Sequence, residues 1–113
     1  MLPRSQRLNT FQFEFVMSKG RVAHSTFFTV RFVSSCSDTR IAAVASKKIF
    51  KTAVSRNKMR RRIYEAVRPL YPRILQGMNV VVFGKLSGLK ELIPALTDDL
   101  HGLFVKTGIL KYT

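Results

Sequence analysis

The chain has 113 residues, enough for one modest hydrophobic core and too few for two. Apolar residues make up 46%, so the formal net charge of +14 belongs to a folding chain and not to a disordered basic tail. Such a balance implies an acidic partner, of which nucleic acid is the commonest. A membrane is disfavoured, because there is no long apolar span and no helix with Trp or Phe opposite a Lys face.

Residues 1–8 read as a basic leader without the apolar run of a secretory signal, which makes the cytoplasm the expected location. The single cysteine, Cys36, excludes an internal disulfide and a thiolate zinc cluster. Asn9 or Thr10 is placed to cap a short helix to about Ser18, ended by Lys19-Gly20. On that helix Phe11 and Phe15 form an i,i+4 pair expected to face the core, with Phe13 pointing elsewhere; alternation at 11, 13 and 15 also suits a strand. Residues 26–33 predict a strand with Phe28, Val30 and Phe32 on one face and Phe27, Thr29, Arg31 and Val33 on the other. A turn over residues 34–39 and a second strand over 40–45 suggest an antiparallel hairpin.

From about Lys51 to Val67 the apolar period becomes helical, and Arg68-Pro69 stops it. Met59, Ile63, Ala66, Val67 and Leu70 share one stripe; Lys51, Lys58 and Arg62 are expected opposite, with Arg61 and Arg68 beside them. Arg56 and Arg60, with Asn57, fall on the edge of the stripe. Gln76-Gly77 marks a turn, residues 78–83 a short buried strand, and Leu89, Leu92, Ile93, Leu96, Leu100, Leu103 and Phe104 a last helical stripe. Pro94 belongs to a first turn or a break, Gly108 to the end, and Glu91, Asp98 and Asp99 to the end favoured by the helix dipole. Phe11, Phe28, Phe32, Phe83 and Phe104 are assigned to the core. The order α-β-β-α-β-α predicts an α+β sandwich with one sheet face covered by helices, a single domain over residues 1–113.

Catalytic chemistry is not legible. His24 and His101 stand alone, the six acids are scattered, and no spacing suggests a metal site, so no catalytic or metal-binding residue is assigned to the protein. The cationic run is the strong signal. Residues 40–68 hold ten of the twenty Lys and Arg and one carboxylate, Glu65, and five of the seven residues from 56 to 62 are cations. Like charges at helical spacing repel, and guanidinium forks so spaced suit a phosphate track. Phe13 with the Phe27/Thr29/Arg31 face suggests a platform for a single strand.

Arg40-Ile41, Ser46-Lys47-Lys48, Ala53-Val54, Arg56-Asn57, Arg60-Arg61 and Glu65 together resemble the signature of the protein subunit of bacterial ribonuclease P. The likeness extends weakly over the whole chain, from Leu2-Pro3 and Arg7-Leu8 through Gly20 and the residue 80–83 strand to Gly108-Ile109-Leu110. It implies a ribosomal protein S5 domain 2-like fold with a left-handed βαβ crossover, which no sequence rule predicts. It also implies a ribonucleoprotein endonuclease whose RNA subunit, with bound Mg²⁺, removes the 5′ leader of precursor tRNA. The implied partners are that RNA and the precursor, with no stable protein partner and no membrane.

For contact with the RNA subunit the resemblance implies Arg56, Asn57, Lys58, Arg60, Arg61 and Arg62. Lys47, Lys48, Lys51 and Arg68 flank them. For the leader cleft it implies Phe13, Met17, Phe27, Arg31 and Ser46. Met17 and Arg31 stand where the family often has aromatic residues; Phe50, Ala42 and Tyr64 replace a usual small residue, a usual Gly and a frequent Arg. A small structural RNA-binding protein, ribosomal or chaperone-like, is the alternative, and the spacing from Ser46 to Glu65 favours the first reading.

Overall fold

The computed structural model describes residues 6–34 and 38–110. In chain order they form α1 (Thr10–Lys19), β1 (Arg21–His24), β2 (Phe28–Ser34), β3 (Arg40–Val44), α2 (Ala53–Val67), β4 (Met78–Gly84) and α3 (Ile93–Thr107). The readings of Leu2-Pro3, of Cys36 and of the middle of the 34–39 turn lie outside the described residues.

β4 organises the sheet. Six of its seven residues are buried and Phe83 is half-buried, so both of its faces are covered. Both of its edges are paired too: the strand order is β1-β2-β4-β3, with β2 antiparallel and β3 parallel to it. The hairpin expected between residues 26–33 and 40–45 therefore does not form, because β4 lies between them. Sequence proximity favours pairing β2 with β3, but a strand as apolar as β4 needs a neighbour on each side. β1 was not expected; a four-residue edge strand, mostly exposed, carries no apolar alternation to signal it.

One face of the sheet, with Phe28, Val30, Phe32, Ile41, Ala43, Val80 and Val82, meets α2 and α3 in the main core. α2 begins at Thr52, whose Oγ1 accepts from Ser55 N at 3.1 Å, and buries Met59, Ile63, Tyr64, Ala66 and Val67. The expected stripe is thus the buried one. α3 starts at Ile93 with Pro94 in its first turn, buries Leu96, Leu100, Leu103 and Phe104, and ends at Gly108 with φ of 80°. Leu92, expected on that stripe, precedes the helix and is 74% exposed. No acid occupies the first turn of α3. Asp99 instead ties α3 to the β1–β2 turn, its Oδ2 accepting from Ser25 Oγ at 2.7 Å and Phe27 N at 3.0 Å.

The other face is not bare. α1 packs against β2 and β4 there and buries Val16, which with Val81 lies outside the main core cluster. Asn9 starts α1 through a capping box: its Oδ1 accepts from Gln12 N at 2.8 Å and its own N donates to Gln12 Oε1 at 2.9 Å. The inward stripe is Phe13, Val16 and Met17, so Phe11, assigned above to the core, is 78% exposed, and Phe15 is exposed as well. Apolar side chains surround this helix, and the sheet selects the face. Phe83, also assigned to the core, belongs to the α1 side and is only half-buried.

Candidate nucleic-acid interface

The α2 surface away from the core is cationic. Asn57, Lys58, Arg61 and Arg68 are exposed, and Arg56 and Arg60 flank the buried stripe half-buried, as their spacing predicts. Two of these side chains are fixed from within: Arg56 Nη1 donates to Phe50 O at 3.0 Å, and Arg60 Nη2 donates to Asn57 Oδ1. Phe50, 1% exposed, anchors the turn that presents Lys47 and Lys48, and Phe50 N and Lys48 N return to Ser46 O and Ser46 Oγ. Lys47, Lys48 and Lys51 are exposed ahead of α2, and Arg68 closes it, a track on the order of 20 Å along the axis. Arg62 departs from expectation. It is half-buried, and its Nε and Nη2 are shielded without a hydrogen-bond partner, because its flank of the helix turns inward with Ala66, whose carbonyl accepts from Thr97 Oγ1 of α3.

On the opposite side of the sheet, α1 runs crosswise. It enters beside Ile41 of β3, where Leu8 N donates to Ile41 O, and ends at Gly20, which abuts the Phe32 carbonyl of β2. Ile41, Val80 and Phe32 are in register, so the helix crosses the strands near that level. Three residues along, and so on the α1 side, His24, Thr29, Phe83 and Val44 also align across all four strands. His24 is exposed and the other three are half-exposed, with His24 Nδ1 and Thr29 Oγ1 hydrogen-bonded at 2.9 Å. Together they make an open strip with an aromatic centre, bounded on one side by α1.

Of the residues expected in the cleft, Phe13 and Met17 lie on the inward face of α1, half-buried, and Ser46, also half-buried, lies two residues past the end of β3 at the start of the turn that leads to α2. Arg31 is beneath the helix, where its Nη1 donates to Met17 O at 2.9 Å and satisfies a carbonyl of the last turn of α1. Its first role is to dock α1. Phe27 is elsewhere. It precedes β2, where strand alternation does not hold, and packs against the main core near Gly88. The residues that replace it in the strip, Phe83 and Val44, could be found from sequence only by knowing that β4 lies between β2 and β3.

The Ribonuclease P family model matches residues 2–108, nearly the whole chain. The chain belongs to the ribonuclease P protein family. The ribonuclease P protein component of Pseudanabaena sp. is 33% identical over 113 residues, covering 97% of each chain. That of Symbiobacterium thermophilum is 40% identical over 73 residues, 65% of this chain and 63% of the relative. The fold is that of the RNase P proteins of Staphylococcus aureus (TM-score 0.78, 20% identity, 96% of this chain and 100% of that one) and Thermotoga maritima (TM-score 0.76, 24% identity, 88% and 96%). The ribosomal protein S5 domain 2-like architecture implied by the resemblance is therefore the one observed. As a ribonuclease P protein, the chain is a subunit of a ribonucleoprotein endoribonuclease and assists processing of the precursor tRNA 5′ leader, with the ribonuclease P RNA and precursor tRNA as partners.

Proposed function

We propose that the single domain divides these two partners between the two sides of its sheet. The α2 track, with Lys47, Lys48, Lys51, Arg56, Asn57 and Lys58 leading to Arg60, Arg61 and Arg68, binds phosphates of the RNA subunit. The strip along α1, with Phe13, Met17, Ser46, Val44, Thr29 and Phe83, holds the single-stranded 5′ leader. The observation that carries this reading is the placement of an exposed cationic helix face and a half-exposed aromatic strip on opposite sides of one sheet. Phosphate contacts suit the structured RNA, whose A-form grooves give a helix little to read, and an aromatic strip suits unpaired bases.

Among the described residues no three His, Cys, Asp or Glu side chains come together to hold a metal ion. Mg²⁺ belongs in this reading to the RNA subunit, which performs the hydrolysis; the protein's residues bind and orient. No helix among the described residues is long and apolar enough to cross a membrane, and the reading needs only cytoplasmic RNA partners, with no further stable protein partner. Reconstitution with the RNA subunit at low Mg²⁺ tests the assignment. The protein is expected to raise cleavage of precursor tRNA and to cleave nothing alone. Mg²⁺-dependent cleavage by the protein without RNA overturns it.

A further inference from the structure

His24 ends β1 and stands at one end of the open strip, on a backbone held from several sides. Ser25 N donates to Phe28 O at 2.8 Å, Ser25 Oγ and Phe27 N donate to Asp99 of α3, and Lys85 Nζ donates to Ser25 O at 2.6 Å. The ring itself is exposed, and its Nδ1 is engaged by Thr29 Oγ1 at 2.9 Å across the β1–β2 pair. That bond sets the orientation of a ring that would otherwise turn freely, and it leaves the other nitrogen, Nε2, without a partner among the described residues. His24 lies two strand positions from Phe83, about 10 Å at ordinary strand spacing. Beyond it the surface changes character. A cavity of about 300 Å³ is lined there by His24, Asp98, Asp99 and Lys106 among others, two carboxylates against one ammonium.

Resting on the reading of that strip as the leader's site, we infer that His24 is a specificity residue that takes the edge of one leader base, with Thr29 as its positioning residue. The rest of this row of four cannot discriminate. Phe83 and Val44 offer surface on which any base can lie, because every base has a π-face, and the Thr29 hydroxyl is spent on the ring. His24 alone in the row presents a hydrogen-bonding atom in a set direction, and the edges of unpaired bases differ in their donors and acceptors. A backbone phosphate is the other group an imidazole could take. The two carboxylates beyond His24 outnumber Lys106 and disfavour a diester there, so the neutral base edge is the ligand. At about 10 Å from Phe83, His24 meets a different nucleotide from the one stacked on that ring.

The test is competition between precursor tRNAs that carry each of the four nucleotides at each leader position in turn, with the full-length protein bound to its RNA subunit. The native protein is expected to discriminate at one position by about two- to tenfold, the worth of one neutral hydrogen bond. His24→Ala should level that preference and leave selection at other positions as it was. His24→Phe keeps a ring without its nitrogens and should level it too; if the Ala variant fails to fold in a thermal melt, the Phe variant decides. Thr29→Val should weaken the preference and Thr29→Ser, which restores the hydroxyl, should bring it back, whereas a merely structural Thr29 would lower binding of every leader alike. Phe83→Ala should weaken every leader, and its loss should multiply with that of His24→Ala, as for sites about 10 Å apart. A native protein without preference at any position, a preference that survives His24→Ala, or a loss equal for all four nucleotides overturns the inference and leaves the strip standing. If Phe83→Ala also fails to separate precursor from mature tRNA, the reading of the strip falls with it.

Discussion

Gly20 is where α1 meets the sheet, and adding one methyl group there tests how the cleft is held open. Its N–H donates to Val16 O at 2.7 Å, and a Cβ built on it would run into that carbonyl oxygen, 3.2 Å from both Phe32 O and Val16 Cγ1. Two of these neighbours are backbone atoms, which cannot rotate away as a side-chain tip can. Gly20→Ala therefore forces the last turn of α1 off β2 and strains the nearby Arg31–Met17 bond. Overpacking of this kind costs about 2 kcal/mol, a fall in Tm of roughly 8 °C for a domain of this size. Because α1 and α2 lie on opposite faces, the variant is expected to keep its affinity for the RNA subunit. Its preference for precursor over mature tRNA should drop. Thermal melts with paired binding titrations on the two RNAs measure both effects. An unchanged Tm refutes the packing argument, and a lowered Tm with intact precursor preference refutes the role of α1 as a wall of the leader strip.

Removing the Asp99 carboxylate as Asp99→Ala leaves Ser25 Oγ and Phe27 N without their acceptor, at a cost of about 2–4 kcal/mol in a urea melt, with Asp99→Asn recovering part of it. Phe83→Ala, at the centre of the open strip, is expected to weaken binding of precursor tRNA while mature tRNA and RNA-subunit binding hold; equal losses on all three ligands would point to misfolding. The Tyr71 hydroxyl donates to Thr39 O at 2.6 Å, and burial raises its pKa above the ordinary 10.0, the Arg40 cation opposing and the Asp38 carboxylate adding. Since the fold favours the neutral phenol, its contribution is intact below the ordinary tyrosine value and lost as pH rises through the folded one. The stability gap between wild type and Tyr71→Phe should accordingly close in alkaline urea melts, and a gap constant with pH would contradict this.

Much of this arrangement is written locally in the chain. The capping box at Asn9 and Gln12, Thr52 ahead of α2, Pro94 in a first turn and Gly108 past a last one place helix ends through contacts within four residues. The stripe from Met59 to Leu70 names the buried face of α2 because its opposite face is polar. Where that contrast is missing, prediction fails: α1 has Phe at 11, 13 and 15, and only the sheet decides which of them turns inward. Strand order is a long-range property. The run Val80-Val81-Val82 signals burial on two faces but not which strands flank it, so the strip from His24 to Val44 could not be assembled from sequence. Phe27 lies one residue before β2, where alternation does not extend, and a helical wheel gives the angle of Arg62 but not the position of α3.

The position of β4 has a consequence for how the protein is made. The β1–β2 hairpin can form as soon as it leaves the ribosome, but β3 has no strand partner until β4 emerges, some 40 residues later. At ordinary translation rates that interval is about 2 to 8 s. For the later part of it, α2 is already synthesised with its apolar stripe uncovered and its arginines crowded. Folding must wait on a contact between distant parts of the chain, a topology that slows the search. A nascent cationic helix without its sheet is also free to meet any RNA nearby, so the timing of β4 bears on whether the first RNA bound is the right one.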